Sequence, residues 1–118
     1  MLTAASLNKR MLFVFKTVKM RYGKLKSCEA IVSPRQGGDP TPITIPRGFD
    51  DDYTLRYVFH ELSHIVLPGE LGAFGEFEED IIIRVLEPAW IRYVTANGRR
   101  HAAWISNLKR IPGYRAAA

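Results

Sequence analysis

The sequence predicts one α+β domain, residues 1–118, in which a small antiparallel or mixed β-sheet of about three short strands packs on two helices and a short C-terminal helix. Three observations predict this class. The length of 118 residues suffices for one hydrophobic core. Runs rich in β-branched and aromatic residues occupy the first half, and apolar residues recur at helical spacing in the second half. The composition, 47% hydrophobic and 25% charged, is that of a globular chain.

The first half of the chain is predicted to form the sheet. Residues 9–21 read KRMLFVFKTVKMR, and their β-branched and aromatic content with partial alternation favours a strand over a helix. Residues 30–32 and 43–45 are predicted as a second and a third short strand. Residues 33–42 between them are rich in glycine and proline, which predicts a loop.

The second half is predicted to form three helices. Three aspartates ending at Asp52 supply N-cap candidates for a helix over residues 52–67, which Pro68 and Gly69 are expected to stop. After a connector over residues 70–75, a second helix is predicted over residues 76–94. A last helix is predicted over residues 100–109.

Charged residues are segregated along the chain. Nine of the twelve acidic residues lie between Asp50 and Asp80, where Arg56 is the single base, although the whole chain has a net charge of +5. An acidic middle suits a cation site, whereas basic flanks can attract nucleic acid or an acidic partner over long range. The alternative interpretation of the flanks is a solvated basic surface that aids solubility.

The sequence also indicates the cellular compartment of the protein. No apolar run approaches the length of a membrane-spanning helix, so we expect no membrane partner. Cys28 is the only cysteine and has no partner for an internal disulfide, which fits a reducing compartment. We therefore expect a cytoplasmic protein.

One motif contains candidate metal-binding and catalytic residues. His60-Glu61-Leu62-Ser63-His64 is an HExxH sequence inside a predicted helix. Residues four apart share one face of a helix, so His60 and His64 can both bind one zinc ion. Glu61 then lies beside the ion, placed to act as a general base on a zinc-activated water. The alternative is an accidental match, which predicts no stoichiometric metal.

A catalytic zinc site needs a third protein ligand, and the second helix offers acidic candidates. The connector lets that helix fold back along the first, which brings Glu78 and Glu79 level with His64. The apolar residues of its first turns point nearest to Glu78, whereas equal weight on the distal apolar residues swings the apolar direction towards Glu79, so Glu78 ranks only narrowly first. The apolar residues of the first turns are Phe77, Ile81, Ile82, Val85 and Ala89, and the distal ones are Leu86, Trp90 and Tyr93.

Three other residues remain alternatives for the third ligand. Glu76 and Asp80 are expected on the opposite, solvent side of the second helix. His101 follows the turn at Asn97 and Gly98, from which it can return to the cleft as a ligand or a transition-state donor. A histidine beside two arginines is more often exposed.

The run from Ile43 to Val94 resembles the minimal core of zincin-type metallopeptidases, most of all on the gluzincin side. The resemblance lies in a short strand, the segment YVFHELSH and the following EEDIIIRVLEP. The chain is similar to small HExxH proteins of phages and bacteria and to the ImmA/IrrE family of intracellular peptidases. The resemblance implies zinc at His60 and His64, Glu61 as the catalytic acid/base and Glu78 or Glu79 as the third ligand.

The resemblance leaves alternatives for ligand and function. Glu76 with Asp80 reproduces the ExxxD spacing of thermolysin-like gluzincins. The expected function is a zinc metallopeptidase that acts on a peptide or protein substrate in the cytoplasm of a bacterium or a phage-infected cell. The rival is a catalytically silent or latent metal-stabilised module that binds nucleic acid or a protein partner through its basic flanks. The presence of Glu61 favours catalysis.

Overall fold

The computed structural model describes residues 2–24, 43–71 and 75–115. The elements in these ranges are α1 (Ala4–Thr17), β1 (Met20–Gly23), β2 (Ile43–Pro46), α2 (Asp51–Leu71), α3 (Glu76–Thr95) and α4 (Gly98–Arg110). The predicted α+β class is confirmed, with helices dominating. Within these ranges, no helix combines the length and apolarity that crossing a bilayer requires.

The sheet differs from the predicted one. Its two described strands, β1 and β2, pair in parallel, with Met20 opposite Ile43 and Tyr22 opposite Ile45. These four side chains are buried and form one wall of the core. Strand β2 confirms the third predicted strand, whereas the predicted strand at residues 30–32 lies outside the described residues.

Helix α1 occupies most of the segment that the sequence predicts as the first strand, so that prediction is wrong. The Thr3 hydroxyl accepts a hydrogen bond from the Ser6 backbone N–H, and the Ser6 hydroxyl accepts one from the Thr3 N–H. This reciprocal cap fixes the start of the helix. The helix then buries Leu7, Met11 and Val14 as one stripe, while Phe13 is exposed. Helical spacing therefore overrides the strand-like composition.

Helix α2 begins as predicted but ends later. The Asp50 carboxylate accepts a hydrogen bond from the Tyr53 backbone N–H at 2.7 Å, which caps the first turn. The predicted stop at Pro68 is wrong, because the helix runs to Leu71 with Pro68 inside it. Burial of Val66 and Leu67 in the core offsets the backbone hydrogen bond that proline cannot donate.

The core is centred on aromatic side chains from three helices. Phe59 of α2 stacks on Trp90 of α3 at 4.6 Å, and Trp90 meets the edge of Trp104 of α4 at 5.4 Å. The indole N–H groups of both tryptophans donate to the side-chain oxygen of Asn8 on α1, at 3.2 and 2.8 Å. One buried amide therefore ties α1 to α3 and α4.

The buried face of α3 is not the predicted one. Phe77, Ile81 and Val85 are 75%, 49% and 70% exposed. Trp90 and Val94, further along the helix, are fully buried and fix its rotation against α1, α2 and α4. This rotation turns Glu79 and Asp80 toward α2, which corrects the expectation that Asp80 lies on the solvent side.

Candidate metal centre

Two histidines of α2 point into the cleft beside α3. The opposite face of α2 is held in the core by Leu55, Val58, Phe59 and Leu62, which fixes the rotation of the helix. His60 and His64 lie one turn apart, and their Nε2 atoms are 3.3 Å from each other. Both side chains are partly buried, at 35% and 19% exposure. The shared face that the HExxH spacing predicts is therefore present.

Asp80 of α3 completes a group of three candidate ligands. Its Oδ1 atom is 3.3 Å from His60 Nε2 and 3.1 Å from His64 Nε2. Ligand atoms held at 2.0 to 2.1 Å from a zinc ion at tetrahedral angles lie about 3.3 Å apart. The three atoms therefore have the separations of three ligands around one ion, and this group can hold a metal.

Glu79, the neighbour of Asp80, contacts the other side of the His64 ring. Its Oε1 atom is 2.9 Å from His64 Nδ1, and its side chain is almost completely buried. In the neutral tautomer with its proton on Nδ1, the His64 ring donates to this carboxylate and directs its Nε2 lone pair at Asp80 and His60. Consecutive residues of α3 thus make different contacts, since Asp80 meets the Nε2 atoms of both histidines and Glu79 contacts Nδ1 of the His64 ring.

Glu61 is a buried carboxyl group next to these histidines, with 2% exposure. Burial raises the pKa of Glu61 to about 7; the charge of His64 acts to lower it, and the charge of Asp80 acts to raise it. Such a carboxyl group can both accept and release a proton near neutral pH. Burial and the adjacent His64 lower the pKa of His60, which favours the neutral imidazole that binds metal.

Tyr57 lies one turn before Glu61 on the same helix. Its hydroxyl is buried and has no hydrogen-bond partner among the described residues. Burial and the charge of Glu61 raise the pKa of Tyr57, so the hydroxyl stays protonated. Its position four residues before Glu61 is visible in the sequence, but nothing there distinguishes it from the other tyrosines.

The remaining predicted ligands lie elsewhere. The Glu78 side chain is exposed, folds back toward Gly75 and is not in the group of three. Nε2 of His101 is 3.7 Å from Asp52, two turns of α2 before His60. The side chain of Glu76 lies outside the described residues. The sequence ranks Glu78 first as the third ligand. In the structure Asp80 meets both histidines instead, because α3 presents a different face to α2.

No family model, curated protein or solved structure matches this chain significantly. Fold and site together define a small α+β protein with a candidate centre for one metal ion between α2 and α3.

Proposed function

We propose that this protein is a zinc-dependent metallopeptidase of the zincin type. His60, His64 and Asp80 hold the metal in this proposal, and Glu61 is the general base. The observation that carries it is the meeting of three ligand atoms, 3.1 to 3.3 Å apart, beside the buried glutamate of an HExxH motif. Two imidazoles and one carboxylate are a zinc-binding set, and three protein ligands with an open fourth position are typical of catalytic zinc.

The neutral form of the two imidazoles also supports the binding of a cation at this site. Metal binding requires neutral imidazoles, and in a neutral His64 ring whose Nδ1–H donates to Glu79, Nε2 of His64 and the Asp80 carboxylate are both acceptors. A single proton on Nε2 of His60 can serve one of these two neighbours well, not both. Acceptor atoms that face each other at this distance repel, and a divalent cation satisfies them together.

Glu61 and Glu79 have separate roles in the proposed hydrolysis. When bound, zinc polarises a peptide carbonyl and lowers the pKa of water. Glu61 takes a proton from the attacking water and delivers it to the nitrogen of the leaving amine. Glu79 keeps the His64 ring oriented through Nδ1. Burial keeps bulk water away from Glu61, so its proton transfer is directed to the cleft.

Replacing Glu61 tests the catalytic role. Glu61→Gln keeps the shape of the side chain but cannot accept a proton, so the cleavage of an unfolded protein such as casein should be lost while one zinc per chain is retained. Cleavage is followed by gel and mass spectrometry, and metal content by elemental mass spectrometry. Glu78→Gln, at an exposed glutamate of α3, is the matched control and should keep both properties. An active Glu61→Gln protein would contradict the role.

Metal content of single variants tests the ligand set. His64→Ala and Asp80→Ala should lose zinc, whereas Glu78→Ala should keep it. Loss in Glu78→Ala with retention in Asp80→Ala would restore the ligand that the sequence ranks first. A wild-type protein that binds no zinc, even when zinc is supplied, would mean that the HExxH match is accidental.

A further inference from the structure

Two adjacent grooves lie where β1 and the end of β2 meet the turn after α4. The first, of about 460 Å³, has Arg21, Lys24, Thr44 and Arg47 in its wall. The second, of about 500 Å³, has an apolar floor that includes the partly buried side chains of Phe15 and Val18. Arg21 and Pro112 line both, so the two grooves form one continuous surface.

Positive charge follows this surface from end to end. Lys19 and Arg110 edge the apolar groove, Lys24 and Arg47 edge the polar one, and Arg21 lies between them. All five side chains are exposed, and their described surroundings provide no ion-pair partner for any of them. No acidic residue is among the described residues that line either groove. Such a surface attracts anions.

The chain after α4 holds the shape of the polar groove. The Tyr22 backbone N–H donates to the Pro112 carbonyl at 2.8 Å, and the Tyr22 hydroxyl donates to the Leu108 carbonyl at 3.0 Å. Gly113 has a φ of 86°, and a Cβ there would lie 3.1 Å from the Tyr22 carbonyl and 3.4 Å from the Arg47 guanidinium. The missing side chain therefore permits the close approach of Arg47 and β1.

We propose that this surface binds a single strand of nucleic acid. Arginine guanidinium groups pair with phosphate oxygens in a bidentate manner, so Arg21 and Arg47 hold the backbone together with Lys24. Unpaired bases expose flat apolar faces, which fit the floor that Phe15 and Val18 provide. The site shares no residue with the metal centre and is independent of peptidase activity.

The distribution of charge distinguishes a nucleic acid from an anionic lipid. A lipid has one charged headgroup and a neutral tail, so a lipid in these grooves would leave Lys19 and Arg110 beside its tail without an anion. A single strand of nucleic acid carries a phosphate at every nucleotide and therefore supplies anions at both ends of the surface. A duplex hides its base faces in the stack and leaves the apolar floor unused.

Fluorescence anisotropy with a labelled oligothymidylate of about 12 nucleotides tests the proposal on the zinc-loaded protein. Contact with three to five phosphates predicts a loss of affinity of roughly 20- to 130-fold between about 50 and about 200 mM salt. Arg21→Ala with Arg47→Ala should weaken binding at least tenfold at low salt and flatten the salt dependence. Lys9→Ala with Arg99→Ala removes the same charge from exposed positions outside both grooves and should change affinity less than threefold.

Each other outcome overturns the proposal. Absence of binding to the oligothymidylate at low salt would mean that this surface does not bind single-stranded nucleic acid. Equal losses in the two double variants mean attraction by overall charge and no defined groove. Tighter binding to duplex DNA, or to vesicles of anionic phospholipid, assigns the surface to another partner. Circular dichroism of both variants confirms that the fold is kept, because all four substituted residues are exposed.

Discussion

Polar side chains from different helices meet in two regions of this molecule, one buried in the core and one partly exposed in a cleft, and their hydrogen bonding differs. In the aromatic core, one oxygen of Asn8 accepts from the indole N–H groups of Trp90 and Trp104, so both buried donors are satisfied. Between α2 and α3, Nε2 of His60, Nε2 of His64 and Oδ1 of Asp80 meet at 3.1 to 3.3 Å, where neutral imidazoles cannot supply a proton for every contact.

The difference separates residues that stabilise the fold from residues suited to chemistry. The core network joins helices that are distant in sequence and leaves neither indole N–H unpaired. The candidate metal centre buries the Glu61 carboxyl group, which costs stability in the metal-free protein once that group ionises. Buried ionisable groups that cost stability in this way are typical of functional sites.

The largest expected effect is the stabilisation of the metal centre by zinc. At a zinc concentration a thousandfold above the dissociation constant, the free energy of unfolding should rise by about 4 kcal/mol. Thermal unfolding of the wild type and of His64→Ala, with and without zinc, measures this gain, which the variant should lack. His101→Ala is the control and should keep the gain, since His101 faces Asp52. An equal gain in His64→Ala would place the metal elsewhere.

The core network is tested by Asn8→Ala. Two buried indole N–H groups would lose their acceptor, so we expect a loss of about 3 to 4 kcal/mol in the free energy of unfolding. Urea unfolding measures the loss, which should be the same with and without zinc. Asn107→Ala, at a partly buried asparagine of α4 with no hydrogen-bond partner among the described residues, should have a much smaller effect. Equal effects would show that the network adds nothing.

A third prediction concerns pH and Glu61 in the metal-free protein. Its pKa is about 7 in the folded state, against 4.5 for an ordinary glutamate. As pH rises from 4.5 to 7, the unfolded chain releases a proton that the folded state retains, so wild-type stability falls. Glu61→Gln lacks this loss and should be more stable than wild type by about 3 kcal/mol at pH 8, with little difference below pH 4.5.

Urea unfolding in the presence of a chelator, at acid and at alkaline pH, measures the difference between the two proteins. The matched control is Glu78→Gln, because its side chain is exposed on α3. A stabilisation by Glu61→Gln that does not depend on pH would contradict the burial of an ionisable carboxyl group.

The smallest expected effect belongs to Glu79. Glu79→Gln replaces the carboxylate that accepts from Nδ1 of His64 by a neutral amide, which should weaken zinc affinity by about 10- to 100-fold. Competition with a chelating dye measures the affinity, and Glu78→Gln should leave it unchanged. The reverse pattern, with only Glu78→Gln weakened, would favour the ligand ranked first from the sequence.

Local spacing was sufficient to predict the HExxH helix. An interval of four residues puts His60 and His64 on one face of any α-helix, whatever surrounds it. The starts of α2 and α3 were also predictable, from the aspartates at Asp50 to Asp52 and from the break before Glu76. These features depend on neighbours in the sequence.

The candidate ligand on α3 and the helical state of the first element could not be predicted without the tertiary packing. The apolar residues Phe77, Ile81 and Val85 indicated a buried face, but the burial of Trp90 and Val94 decided the rotation of the helix and brought Asp80 to α2. Residues 9–21 combine strand-like composition with helical spacing. Packing of α1 against α2 and α3 selects the helix, and the cap at Thr3 was the local sign of it.

Because the candidate ligands come from two helices, an ion at this centre would act as a reversible crosslink. It would close the loop from His64 to Asp80 and restrict the unfolded chain, much as a disulfide does. The backbone amides of α2 and α3 near this loop would then exchange with solvent more slowly when metal is bound. Acid, by protonating the histidines, would release the crosslink, while the stacking of Phe59 on Trp90 would still hold the two helices together at the core.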